Sequence, residues 1–411
     1  MKVIWCIPLK IITLIFLWVP LCGSELFAFQ TTEPSAKDTL SPRINHGSNG
    51  FEFTSPDEKF QLQVAGRLQF RFATPNDQDP ITYDDFDTEL KNTFKVNRAR
   101  LKIGGHAYQP WLKYYFEYEL GASQLLDFRV MVEKWPWLNF KVGQWKMEYS
   151  RERSISSGEQ QMMERSIINR PFTLDRQQGL TVYGHLDGPG VADFNYNLAV
   201  LTGSGRETSS NDDKNLMYSG RLQWNILGGG VEMSGSDLSF QEKPTASLAW
   251  AGATNISQYT RFSSNGGGVL KGYEEGEAGQ FKVDQWLLET AFQYRSFSWH
   301  TEFHNKHIYD RINLTRDTMV GGFMQGGYIL NRQKSAEGHP LIEVAGRYAN
   351  YRPNLDLLMN SEEEFSLAVN CFFKEHLNKL TADVTFFEFD QESINREASG
   401  WRFRVQYDFS F

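Results

Sequence analysis

The chain ends on Gly400-Trp401-Arg402-Phe403-Arg404-Val405-Gln406-Tyr407-Asp408-Phe409-Ser410-Phe411, in which Trp401, Phe403, Val405, Tyr407, Phe409 and Phe411 hold every odd position. Arg402, Arg404, Gln406, Asp408 and Ser410 lie between them. Successive side chains of a strand point to opposite faces, so this stretch is a ribbon with one apolar and one polar face. An unbroken apolar face that ends the chain on an aromatic residue is the pattern of a strand with lipid on one side and water on the other.

Working outward, the other end of the chain carries its twin. Phe60-Gln61-Leu62-Gln63-Val64-Ala65-Gly66-Arg67-Leu68-Gln69-Phe70-Arg71-Phe72 alternates over its whole length. Between the two, alternation recurs at 98–103, 112–120, 126–132, 138–142, 180–186, 193–202, 216–227, 246–254, 284–295, 297–306, 323–330, 341–349, 364–373 and 380–389, which gives about sixteen strands. Long and short connections largely take turns along the chain, as they must in an up-and-down barrel. Two depart from this rule: 121–124 is short for a loop, and 228–245 is long for a turn and has room for a small strand pair. The expected fold is all-β, a transmembrane antiparallel β-barrel.

Composition agrees with that expectation. No apolar run after the N-terminal region approaches the roughly 20 residues that a membrane helix needs, and only helices and closed barrels satisfy every backbone group in lipid. Aromatic residues make up 14 % of the chain. Lys2 and Lys10 flank a short apolar run, and cleavage after Ala28 reads 1–28 as a signal peptide. Residues 29–50, rich in Thr, Ser, Pro and Gly, read as a flexible lead-in, and 51–411 as the barrel. Loss of 1–28 leaves Cys371 as the single thiol and shifts the formal net charge from −8 to −9. An acidic chain of this kind is a poor nucleic-acid binder.

The stretches Phe60 to Gln69, Asn97-Arg98-Ala99-Arg100-Leu101-Lys102-Ile103-Gly104-Gly105, Val142-Gly143-Gln144-Trp145-Lys146, Ser150-Arg151-Glu152 and Glu164-Arg165-Ser166 resemble the phosphate-selective porins of the O and P type. The resemblance implies a sixteen-stranded barrel in the bacterial outer membrane, a homotrimer, a loop folded into the lumen and passive diffusion of small anions such as phosphate. The coiled-coil segment that many members carry at their N-terminus is not found, and the family's phosphate-binding lysines cannot be placed by motif.

The residues themselves locate the chemistry on the polar strand faces. Arg67, Arg71, Arg98, Arg100, Lys102, Arg402 and Arg404 lie on such faces. Closing the barrel brings the last strand beside the first, so these cations form one basic wall and a candidate anion path. Guanidinium suits oxyanions because its planar fork offers two parallel hydrogen bonds. Glu117, Glu119, Asp127 and Glu133 on the next strands read as an acidic wall facing it, with a transverse field between them. The plainer reading is that these charges pair with neighbours and merely line a wet interior.

Residues 146–179, the longest connection, form the candidate constriction loop, with Lys146, Arg151, Arg153 and Arg165 as its leading cations. Reversing Arg402 and Arg404 to Glu is expected to weaken or reverse ion preference. His300, Glu302 and His304 share a strand face with His307 just beyond, but spacing along a strand is loose for metal ligation, and no metal or cofactor is assigned. No nucleophile elbow, phosphate-cradling glycine loop or zinc motif is present, so the chain does not read as an enzyme. The reading from another class is a non-conducting barrel that acts as a surface binding or structural protein.

Overall fold

The computed structural model describes residues 41–47, 50–75, 77, 91–208, 210–263, 267–332, 338–357, 360–391 and 396–411. The expected signal segment 1–28 and most of the expected lead-in lie outside these. Eighteen strands follow in chain order. A short hairpin, β1 (Arg43–Gly47) and β2 (Gly50–Thr54), precedes β3 (Gln61–Thr74), β4 (Thr93–Ala107), β5 (Gln109–Glu119), β6 (Gln124–Trp135), β7 (Leu138–Lys146), β8 (Arg176–Asp187), β9 (Asp193–Leu201) and β10 (Met217–Leu227). Then come β11 (Thr245–Ser257), β12 (Phe281–Tyr294), β13 (Phe297–Asp310), β14 (Thr315–Ile329), β15 (Leu341–Arg352), β16 (Glu362–Lys374), β17 (Asn378–Gln391) and β18 (Arg396–Ser410). Each of β3 to β17 pairs antiparallel with its successor, and β18 returns to β3, so sixteen strands close the barrel. All sixteen expected strands are present. Among the described residues no helix is long and apolar enough to cross a membrane.

Alternation dictates the two surfaces. In β18, Trp401, Phe403, Tyr407 and Phe409 are exposed outward while Arg402, Arg404, Gln406 and Asp408 are buried inward. The same outward apolar band continues on neighbouring strands through residues such as Leu367, Val369, Trp250 and Leu222, as a lipid-facing surface requires.

Closure takes place at Gly66. Phe411 and Gly66 exchange backbone hydrogen bonds of 3.0 and 2.8 Å just beyond the Ser410↔Arg67 pair. The Phe411 ring covers Gly66 so closely that a Cβ there would lie 2.4 Å from the ring. Beyond this point β2 takes over from β18 as the partner of β3, with Phe51 opposite Val64 and Thr54 opposite Gln61. The lead-in is therefore structured in its last part: residues 43–47, expected to be aperiodic, pair with β2 as a strand.

Candidate functional site

The lumen is filled unequally. After β7, residues 147–175 fold inward instead of crossing directly to β8, and they carry two short helices, α1 (Arg151–Ser154) and α2 (Asn169–Phe172). Ser150 caps α1 by accepting a hydrogen bond from the Arg153 N–H. Tyr149, Ile168, Phe172 and Leu174 of this loop pack against the inward faces of β11 to β15, on Ala251, Val283, Leu287, Ile308, Met319, Phe323 and Ala349. Each large apolar side chain buried there contributes about 1.5–3 kcal/mol. One half of the barrel interior is thus a dry core.

A second segment enters from the short-turn end. Residues 228–244, where the length left room for a small strand pair, contain no strand. They turn into the lumen and meet the loop: Gly235 N–H donates to the Glu159 carbonyl at 2.8 Å, and the Arg151 guanidinium donates to the carbonyls of Val231 and Glu232. An internal loop closes the backbone polar groups of this turn where water cannot.

The space left open lies on the other side, between the loop and strands β4 to β8. It is a cavity of about 470 Å³ lined by nine cationic side chains and four carboxylates. A smaller one of about 170 Å³ continues toward the short-turn end past Arg67, Lys102 and Phe411, and the two share Lys102, Tyr115 and Ser156.

The expected basic wall divides accordingly. Arg98, Arg100 and Lys102 line the larger cavity, and Arg67 and Lys102 the smaller. Arg71 is buried against Gln406, Asp77 and the loop residue Glu164. Arg404 forms an ion pair with Asp383 in which both side chains are fully buried, and Arg402 lies over the Phe387 ring at 4.9 Å, also buried. These three face inward but are buried among protein groups and line neither cavity. The acidic residues do not form a separate opposing wall. Arg100 bonds Glu117 and Glu119 on the adjacent strand at 2.9 and 2.7 Å, Arg176 bonds Asp127 at 2.6 Å, and Lys113 bonds Glu133 at 2.6 Å.

Among the loop cations, Lys146, Arg153 and Arg165 line the larger cavity, while Arg151 is the buried clasp on the inward turn. Arg153 is paired with Asp175. Arg165 instead donates to the backbone carbonyls of Glu152 at 3.0 Å and Ile155 at 2.9 Å, and Lys146 to the Ile155 carbonyl at 3.3 Å. Among the described residues, no carboxylate lies within ion-pairing distance of Lys102, Lys146 or Arg165, so their charge is uncompensated at contact range. Burial, with Arg153 and Arg98 nearby, holds the Arg165 guanidinium well below its usual value. Burial pushes the Glu164 carboxyl up, but Arg98 and Arg71 outweigh it and hold the group well below the usual carboxylate range.

Arg206, which also lines the larger cavity, was not foreseen. It comes from the 202–216 connection, and nothing local distinguishes it from an external loop cation. The His304 ring nitrogen lies 2.8 Å from Glu302, and both are buried under the loop. Among the described residues, no group of three or more His, Cys, Asp or Glu side chains is placed to hold a metal ion.

Solved structures of similar architecture are outer-membrane proteins, a porin and a channel among them. The anion-selective porin from Comamonas acidovorans superposes with a TM-score of 0.57 at 11% identity, over 85% of this chain and 99% of that one. OmpT of Vibrio cholerae gives 0.55 at 8% identity, over 86% and 98%. The outer membrane channel DcaP of Acinetobacter baumannii gives 0.54 at 11% identity, over 87% and 99%. At these identities the likeness concerns the fold. No match to a curated protein was found. The family model for phosphate-selective porin O and P matches residues 76–409, nearly the whole barrel, and with the closed sixteen-strand architecture and its lumen loop it leads to one conclusion: the chain belongs to the phosphate-selective porin O and P family, whose members are outer-membrane porins.

Proposed function

We propose that the protein is an anion-preferring diffusion channel whose path runs along β4 to β8, beside the inward loop. The observation that carries this reading is the excess of nine cations over four carboxylates around the 470 Å³ cavity. Among the described residues, Lys102, Lys146 and Arg165 in particular have no carboxylate partner at contact range. A field of this sign lowers the entry cost for phosphate-like oxyanions, and several weak sites in series let them leave again. Guanidinium groups at Arg98, Arg100 and Arg176 add planar donors for such solutes. The chain would reach the outer membrane through its N-terminal signal segment, and its family supports a homotrimer.

The test is a reversal potential in a planar bilayer across a salt gradient. The wild-type protein should show the sign of anion preference, and Lys102→Glu with Lys146→Glu should shift the permeability ratio toward cations by about tenfold. A ratio that the double substitution leaves unchanged would remove the path from this cavity.

A further inference from the structure

On the wall opposite the cationic cavity, a row of buried carboxylates accepts hydrogen bonds from the loop. Glu289 of β12 accepts the Arg151 N–H at 3.1 Å. Glu302 of β13 accepts the Glu152 N–H at 2.7 Å and the Ser150 hydroxyl at 3.1 Å. Glu343 of β15 accepts the Gln161 amide at 2.8 Å, and Glu364 of β16 accepts the Ile167 N–H at 2.8 Å. All four are at most 2 % exposed. They meet the loop near its start, middle and end.

We infer that Glu289, Glu302, Glu343 and Glu364 are positioning residues that set the bore of the channel by pinning the loop to the far wall. The chemistry suits the task. A carboxylate has several lone pairs, so it can accept loop donors and still be fixed by side chains of the barrel wall. Glu289 is held by Arg221, Glu343 by Asn370, and Glu364 by Arg347 and Ser366. Three of the pins accept main-chain N–H groups of the loop, which are obligatory donors that must find a partner when buried. Glu343 also accepts the Ser236 hydroxyl at 2.8 Å, so the same carboxylate ties the inward turn to the loop. Losing a pin would leave these donors to seek water, and the open space that the middle of the loop borders is the cationic cavity, lined by Arg153, Ser154, Ser156, Ser157 and Arg165. The loop would move toward or across the path.

The inference rests on the cavity being the conduction path, and the experiment separates the two. Glu302→Ala, Glu364→Ala and their combination are compared with Glu302→Gln and Glu364→Gln as folded protein, judged by heat-modifiable migration. Gln keeps an oxygen acceptor of the same reach. The Ala variants should change single-channel conductance by about twofold, with added current noise and an altered size limit for neutral polymers, and the Gln variants should restore most of it. If the combined variant does not fold, the single ones carry the same comparison. Conductance and size limit equal to wild type in the Ala variants, or Gln variants no nearer to wild type than Ala, would overturn the assignment. The size limit does not depend on the sign of the reversal potential, so a cation-preferring wild type would defeat the anion reading and leave the pins standing or falling on their own result.

Discussion

Replacing Arg404 should unsettle the barrel and leave its ion preference in place. The guanidinium reaches across from β18 to β17, where Arg404 stands opposite Asp383, and donates two hydrogen bonds of 3.0 and 2.6 Å to that carboxylate. Both side chains are fully buried. Removing one partner of such a pair strands the other charge away from water, which costs about 3–5 kcal/mol, far more than an exposed pair would. Arg404→Ala should therefore lower the urea midpoint of refolded protein in detergent by an amount of that order. Asp383→Leu with Arg404→Met, which removes both charges, should recover most of the loss, because neither group is then left alone. The reversal potential of Arg404→Ala should match the wild type, in contrast to the expectation from strand faces alone that reversing Arg402 and Arg404 weakens anion preference. A stability loss under about 1 kcal/mol, the scale of a surface pair, together with a shifted reversal potential, would refute the reasoning and return Arg404 to the path.

Two further outcomes follow from the closure and from the loop. Gly66→Val places a Cβ against the Phe411 ring, so the fraction of heat-modifiable barrel recovered after refolding should fall, and Phe411→Ala in the same chain should restore part of it; undiminished recovery of Gly66→Val would show that the ring moves aside freely. The low-lying Glu164 carboxyl makes its bonds to Arg71 and Arg98 resistant to acid: a depressed group stabilises above its unfolded value of about 4.3 and loses that contribution only as pH falls through its lower folded value. Glu164→Gln should accordingly change conductance by the same factor at pH 7 and pH 5, and a factor that vanishes at pH 5 would contradict the shift.

The barrel was legible because alternation is a local property. β18 declares both faces within a dozen residues, and the sixteen strand positions follow from repeats of the same signal. The loop was legible from its length and its charges. What alternation does not encode is whether an inward side chain meets water or protein. Phe281, Val283 and Leu287 of β12 point inward while Trp286 and Leu288 of the same strand do not, and an apolar run of this kind looks the same whether it faces lipid or a loop. For the same reason, Arg71, Arg402 and Arg404 could be placed on the lumen face from sequence, yet their burial against other protein groups could not. The inward course of 228–244 was signalled by excess length alone. Its direction depends on contacts with Glu159 and Glu343, which are distant in sequence.

The division of the lumen also explains how a chain of formal charge −8 can present a cationic cavity, the proposed path. Many of its carboxylates are not available to the path. Glu289, Glu302, Glu343 and Glu364 are consumed as loop acceptors on the far wall, and Asp383 and Asp408 are locked to Arg404 and Arg67. Another set, with Glu274, Glu275, Asp310, Asp317, Glu362 and Asp390, lines a cavity among the long loops instead. Net charge sums over all of these, whereas a permeating ion responds to groups within a few ångströms that it meets in water, since salt screens the rest over about 8–10 Å. On the proposed path, the local excess around Lys102, Lys146 and Arg165 is what such an ion would encounter. Neutralising the buried wall carboxylates should therefore act on the position of the loop, and neutralising the lining cations on the sign of the current.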